Sequence, residues 1–308
     1  MAPSTPAAQT MGAAEWLMLI SLSVLWGGAF FGVEIMLEAL PPLTIVLLRA
    51  GLATLTLYAV LIIGRIAVPL TARLWGAFFV MALLNNVVPF CLIVWGQTEI
   101  TGGLAAILIA TTPLFTVLLV QFFAADERLT IARVAGVSLG LVGVAVMIGP
   151  AALRGLGGDV LAQLAVLAAS FSYACAGVYG RRFRRLPAMI PAVGQLTAGT
   201  AIMLPVALVI DRPWSLPMPG LEVWAAVIGV AILSTAIAYN LYFRLLSTAG
   251  ATNVLLVTFL APISALLLGA LIISETLEPR NLAGMLLIFA GLAAIDGRPG
   301  RWLRARFA

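Results

Sequence analysis

Two stretches of the chain are near-copies set 148 or 149 residues apart, and both lie in apolar sequence long enough to cross a bilayer. The first reads TTPLFTVLLVQFFAADERLTIARVAGVSLGLVGV from Thr111 to Val144, and the second LAPISALLLGALIISETLEPRNLAGMLLIFAGLAA from Leu260 to Ala294. Pro113 matches Pro262, and Glu127, Leu129, Gly136 and Gly143 match Glu275, Leu277, Gly284 and Gly291. A duplicated segment of this kind leaves few architectures open. Carriers are commonly built this way, because two similar halves can rock about a site at the membrane midplane.

Only 9% of the 308 residues are charged and 63% are hydrophobic, against about 25% charged in a soluble domain. A span needs about 20 apolar residues. Ten stretches qualify, near 16–37, 43–64, 74–95, 102–124, 131–149, 159–180, 189–210, 221–245, 252–273 and 281–296. Backbone polar groups in hydrocarbon must be satisfied within helices or a closed barrel, and long apolar runs without alternation read as helix. The sequence therefore predicts an all-α membrane protein of ten transmembrane helices, with only short connections left over. The first span is longer than a signal-peptide core and no Lys or Arg precedes it, so it reads as a retained helix. Cys91 and Cys175 fall inside spans and read as small apolar side chains, not as a disulfide.

Arginine placement sets the orientation, because the chain has no Lys. With the N-terminus in the cytoplasm, the cytoplasmic side holds Arg65, Arg73, Arg128, Arg133, Arg181, Arg182, Arg184, Arg185, Arg244, Arg298, Arg301, Arg304 and Arg306. The opposite side holds Arg154, Arg212 and Arg280, and Arg49 lies within the second span. This bias follows the positive-inside rule and accounts for the pI of 9.9 without nucleic acid as a partner. The run from Arg181 to Arg185 could also touch anionic lipid headgroups. Both termini are expected in the cytoplasm. Five spans per half is an odd number, so the second half enters from the opposite side and the repeat is inverted. Weaker matches extend it: Trp75 with Trp224, Asn86 with Thr235, Phe90 with Tyr239, Trp26 with Phe171, and Glu34 with Tyr179. The halves are read as residues 1–150 and 151–308, divided near Gly149 to Gly158.

The residues LWGGAFF in the first span, VLLRAGLATL in the second, TTPLF and ERL in the first half, and APISALL and SETL in the second carry a resemblance. In this order the chain resembles the ten-helix branch of the drug/metabolite transporter superfamily, built from paired EamA domains. Within that family it is similar to bacterial aromatic amino acid exporters of the inner (plasma) membrane. The resemblance implies a central cavity lined by the first, third, fourth, sixth, eighth and ninth helices, with the fifth and tenth peripheral.

Polar residues inside spans point to a pathway, because each is costly unless paired or facing water. Asn85 and Asn86 precede Pro89, which removes a backbone donor; they could bind a zwitterion or glue helices together. Phe90 follows. Thr235 and Tyr239 share a helical face with Tyr242, while Asn240 and Arg244 form the neighbouring stripe. Tyr suits an aromatic or thioether cargo. Trp26 and Phe30 either line the cavity or pack. Ser172 and Tyr179 share a face with Cys175, Thr111 and Thr112 precede Pro113, and Asn253 is the main polar group of the ninth span. Glu34 and Arg49 are expected near the non-cytoplasmic end, as an ion pair or with Glu34 as a proton carrier. Glu127 and Glu275 read as helix caps.

These features predict a secondary transporter exporting small neutral metabolites, foremost aromatic and other neutral amino acids, with no cofactor. The chain has no His and no P-loop pattern, which argues against a Ser–His or zinc enzyme and against ATP coupling. A cationic-drug exporter would want a carboxylate deep in the cavity. An intramembrane enzyme would want paired carboxylates or His, and a passive channel has no need of matched halves. The expected partners are a small-molecule substrate and membrane lipid; oligomeric state is not legible.

Overall fold

The computed structural model describes residues 11–69, 71–123, 131–148, 158–183, 185–187, 189–254, 256–272 and 278–296. Glu127 and Glu275, seven of the arginines used for orientation (Arg128, Arg154, Arg184, Arg298, Arg301, Arg304 and Arg306) and most of the connection between the halves lie outside the described residues. The described residues are helical with short turns and hold no strand.

The helices are α1 (Ala13–Leu37), α2 (Pro42–Ile63), α3 (Ala72–Gly96), α4 in two pieces (Gly102–Ile109 and Thr112–Phe123), α5 (Ile131–Ile148), α6 (Gly158–Gly180), α7 (Met189–Ile210), α8 (Leu221–Ala249), α9 (Val257–Ile272) and α10 (Pro279–Asp296). Seven are long and apolar enough to cross a membrane: α1, α2, α3, α4, α6, α7 and α8. Shorter apolar helices lie within α5, α9 and α10. Their ends follow local chemistry. Pro42 opens α2, where its missing N–H costs nothing. Thr101 Oγ1 caps α4 by accepting from Leu104 N at 3.4 Å. Gly250 ends α8 at φ 80°, a conformation that favours glycine.

The outward faces are apolar: Ile63 is 83% exposed and Leu271 80%. Contiguous surface of this kind suits lipid rather than water. The chain is a multi-pass membrane protein.

Helix packing repeats between the halves. α1 packs on α9 as α6 packs on α4, and α1 on α8 as α6 packs on α3. α2 meets α8 as α7 meets α3. The matched helices also meet each other, α2 with α7 and α5 with α10. In the α5–α10 contact, a Cβ added at Gly136 would stand 2.5 Å from Gly291 O, and one added at Gly143 would stand 2.7 Å from Gly284 O. The first partner number rises by seven as the second falls by seven, so these two copied helices run antiparallel. Only glycine permits so close a backbone approach.

α3 and α8 each contain a widened π-helical turn at corresponding depth, Leu83–Val87 and Gly229–Ile237. Such turns break the regular ladder and re-aim side chains.

Candidate polar centre between the halves

The two π turns hold the polar groups that meet at the centre. Pro89 has no N–H to give back to its own helix. In the wider turn the bonding is five residues back, as Val88 N does to Leu83 O, so the carbonyl left over is that of Leu84. Ser172 Oγ of α6 donates to it at 2.7 Å. From the same turn Asn85 Nδ2 donates to Gln195 Oε1 of α7 at 3.0 Å and to the Tyr239 hydroxyl of α8 at 3.3 Å. Asn86 is 1% exposed, and neither polar atom of its amide has a hydrogen-bond partner among the described residues. A buried unsatisfied group costs roughly 1–3 kcal/mol.

Thr235 sits in the second π turn. Its Oγ1 donates to Val230 O at 2.9 Å and accepts from Arg49 Nε at 3.3 Å. The Arg49 guanidinium carbon stands 3.9 Å from the centroid of the Phe90 ring. The phenols of Tyr173 (α6) and Tyr239 (α8) are close enough to interact with it electrostatically. Beside them Trp26 meets Tyr242 with ring centroids 5.7 Å apart. Arg49, Asn85, Tyr173, Tyr239, Tyr242 and Trp26 are each half-buried.

The two ionisable candidates have different surroundings. Arg49 is seven residues past Pro42, or about 10 Å along the helix, and its side chain reaches Thr235 in the middle of α8. The Glu34 carboxylate lies against the start of α4: a Cβ on Gly102 would be 3.0 Å from Oε2. Gln97 Nε2 donates to Phe30 O beside it at 2.9 Å. Asp211 Oδ2 similarly accepts from Thr44 N (2.7 Å) and Thr44 Oγ1 (2.9 Å) in the first turn of α2. Glu99 Oε2 lies 3.0 Å from a Cβ placed on Gly158, the first residue of α6. Three carboxylates thus stand at three helix N-termini, where the dipole favours an anion.

Other candidates serve the backbone or lie elsewhere. Thr111 Oγ1 donates to Leu108 O at 2.6 Å and Thr112 Oγ1 to Ile109 O at 2.7 Å, satisfying carbonyls at the break before Pro113. Ser170 of α6 ties into the same break. Tyr179 packs on Phe183 and under Arg182 at the end of α6. Asn240 is exposed and donates to Ala236 O at 3.1 Å. Asn253 Nδ2 donates to Ala249 O at 2.9 Å in the turn before α9. Gln195 and Tyr173 were not singled out from the sequence. Gln195 is an isolated amide in an apolar stretch, the same signal that marked Asn85.

The sequence pattern of the EamA-like transporter family matches residues 14–149 and again 160–295. The chain is 29% identical over 262 residues to an uncharacterized inner membrane transporter, YedA, of Escherichia coli strain K12, covering 84% of this chain and 83% of that one. It is 28% identical over 291 residues to a probable amino-acid metabolite efflux pump of Salmonella typhimurium, covering 92% and 94%. It is 23% identical over 277 residues to the uncharacterized transporter YoaV of Bacillus subtilis, covering 90% and 94%. A crystal structure shares the fold at a TM-score of 0.66 and 21% identity, covering 91% of this chain and 96% of that one.

Proposed function

The chain belongs to the EamA-like transporter family, and from that premise we propose that it is a secondary exporter of small neutral metabolites, aromatic and other neutral amino acids first among them. The observation that carries this reading is the polar centre. Arg49, Asn85 and Phe90 come from the first half, and Gln195, Thr235 and Tyr239 from the second, and hydrogen bonds and a cation–π contact join them. A site shared by two repeats is where a carrier binds its cargo. Uncharged hydroxyls and amides supply directional contacts, and aromatic faces suit an apolar side chain. The efflux-pump name of the Salmonella relative points the same way.

In this reading the halves are residues 1–150 and 151–308, arranged as inverted repeats with ten crossings, and the antiparallel meeting of α5 and α10 supports that arrangement. Alternating access follows from exchanging the conformations of the two halves. Both termini face the cytoplasm of a bacterium, in its inner membrane. Transport needs no covalent step. Movement is driven by the substrate gradient or by exchange. Glu34, whose carboxylate lies against the start of α4, is the candidate proton carrier if movement is coupled to protons.

The test is uptake of labelled Phe, Trp, Thr and Met into proteoliposomes, with a broad competitor panel. Entry of at least one, saturable and competed by the others, is expected. Failure of every neutral amino acid to move or compete would reject the cargo.

A further inference from the structure

Resting on the carrier reading above, we propose that Arg49 is the anchor for a carboxylate on the cargo, so that the acid group is required for binding and the amino group is not. An arginine cannot shed its charge in a protein, and a charge inside a membrane protein is retained where it pairs or faces a pathway. Among the described residues the Arg49 guanidinium is in ion-pair contact with no carboxylate. Its surroundings are a ring face (Phe90), one hydroxyl (Thr235) and two phenols (Tyr173 and Tyr239).

The geometry leaves the guanidinium ready for an anion. Five N–H donors form a planar fork. Nε is held by Thr235 and the plane is braced by Phe90, while the Nη groups make no hydrogen bond within the described residues. A fixed plane with a free edge matches the two oxygens of a carboxylate. Of the acidic side chains, Glu34 lies against the start of α4 and Asp211 accepts from Thr44 at the start of α2.

Among the described residues, the centre therefore carries one positive charge and no fixed negative one. A zwitterion is accepted because its ammonium can use the carbonyl oxygens of Asn85 and Gln195 and the phenols. An amine lacking the acid finds the same acceptors but gives Arg49 no counter-charge, so the repulsion of the guanidinium is left unbalanced. The cargo class is accordingly a small monocarboxylate with an apolar or aromatic side chain, of which amino acids are one kind.

The experiment is thermal unfolding of the purified protein in detergent, followed by tryptophan fluorescence, with phenylalanine, 3-phenylpropionate and phenethylamine at equal concentrations. The two acids are expected to raise the midpoint of the native protein and the amine to leave it unchanged. Arg49→Gln should weaken both acids about 10–100-fold, the usual effect of losing a charge-assisted contact, and Arg49→Lys should restore part of the loss. Thr235→Val, which removes the Nε acceptor together with the donor to Val230 O, should weaken both acids less. Stabilisation by phenethylamine equal to that by phenylalanine, no shift with either acid, or unaltered binding of 3-phenylpropionate to Arg49→Gln would overturn the anchor. Vesicles that move no amino acid, while both acids still bind through Arg49, would overturn the proposed cargo and leave the anchor standing.

Discussion

Gly136 and Gly291 face each other across α5 and α10, each so close to the other's carbonyl that neither position has room for a Cβ. Gly143 and Gly284, their counterparts in the other copy, repeat the contact. Membrane helices have little hydrophobic drive to associate and depend on such close packing.

Gly136→Ala is therefore expected to lower the midpoint of thermal unfolding, because the backbone of α10 must shift. Gly76→Ala in α3 meets no atom within 4 Å and gains helix propensity worth about 0.5–1 kcal/mol. It should be neutral or stabilising. Fluorescence-detected melting of the two variants checks the contrast, and equal losses would count against the close packing.

Ser172 and Pro89 should be coupled. Ser172→Ala strips the Leu84 carbonyl of its donor, at a cost of roughly 1–3 kcal/mol. On a Pro89→Ala background the backbone N–H returns and the serine is no longer needed there. A double-mutant cycle by melting should show the serine's contribution shrinking in that background. An additive cycle would mean that Ser172 does not stand in for the missing proline donor.

Asn85 links three helices through Gln195 and Tyr239. Asn85→Ala, Gln195→Leu and Tyr239→Phe are each expected to cut uptake efficiency by about tenfold, equivalent to about 1.4 kcal/mol. The protein should remain monodisperse and in the membrane. Initial rates in proteoliposomes measure this, and unchanged rates in all three would remove the triad from the pathway.

Tyr179 and Asn240 lie outside that centre, one packed at the end of α6 and the other exposed. Tyr179→Phe and Asn240→Ala should transport at the native rate in the same assay.

Depth was readable from the sequence, while facing was not. Counting apolar residues located the long helices α1, α2, α3, α6, α7 and α8 to within a few residues, because bilayer thickness fixes helix length. Rotation about the helix axis had no such ruler. These helices are apolar nearly all round, so periodicity does not say which side turns inward. Tyr239 and Asn240 are neighbours in the chain, yet one joins Asn85 and the other faces outward. The π turns compound this, since each shifts the register of the side chains beyond it, and their presence in α8 leaves no proline mark. The reach of the Arg49 side chain to Thr235 depends on how α2 packs on α8, which periodicity does not specify. Gln195 carried a legible signal, a single amide in apolar sequence.

The central claim, a carrier whose matched halves expose one shared site alternately, is tested most directly by solute counterflow. Vesicles loaded with unlabelled phenylalanine are diluted into a trace of the labelled form. A carrier predicts transient accumulation of label above its external concentration, lost in Asn85→Ala. Label that only equilibrates, in the native protein as in empty vesicles or through an open pore, would contradict the account.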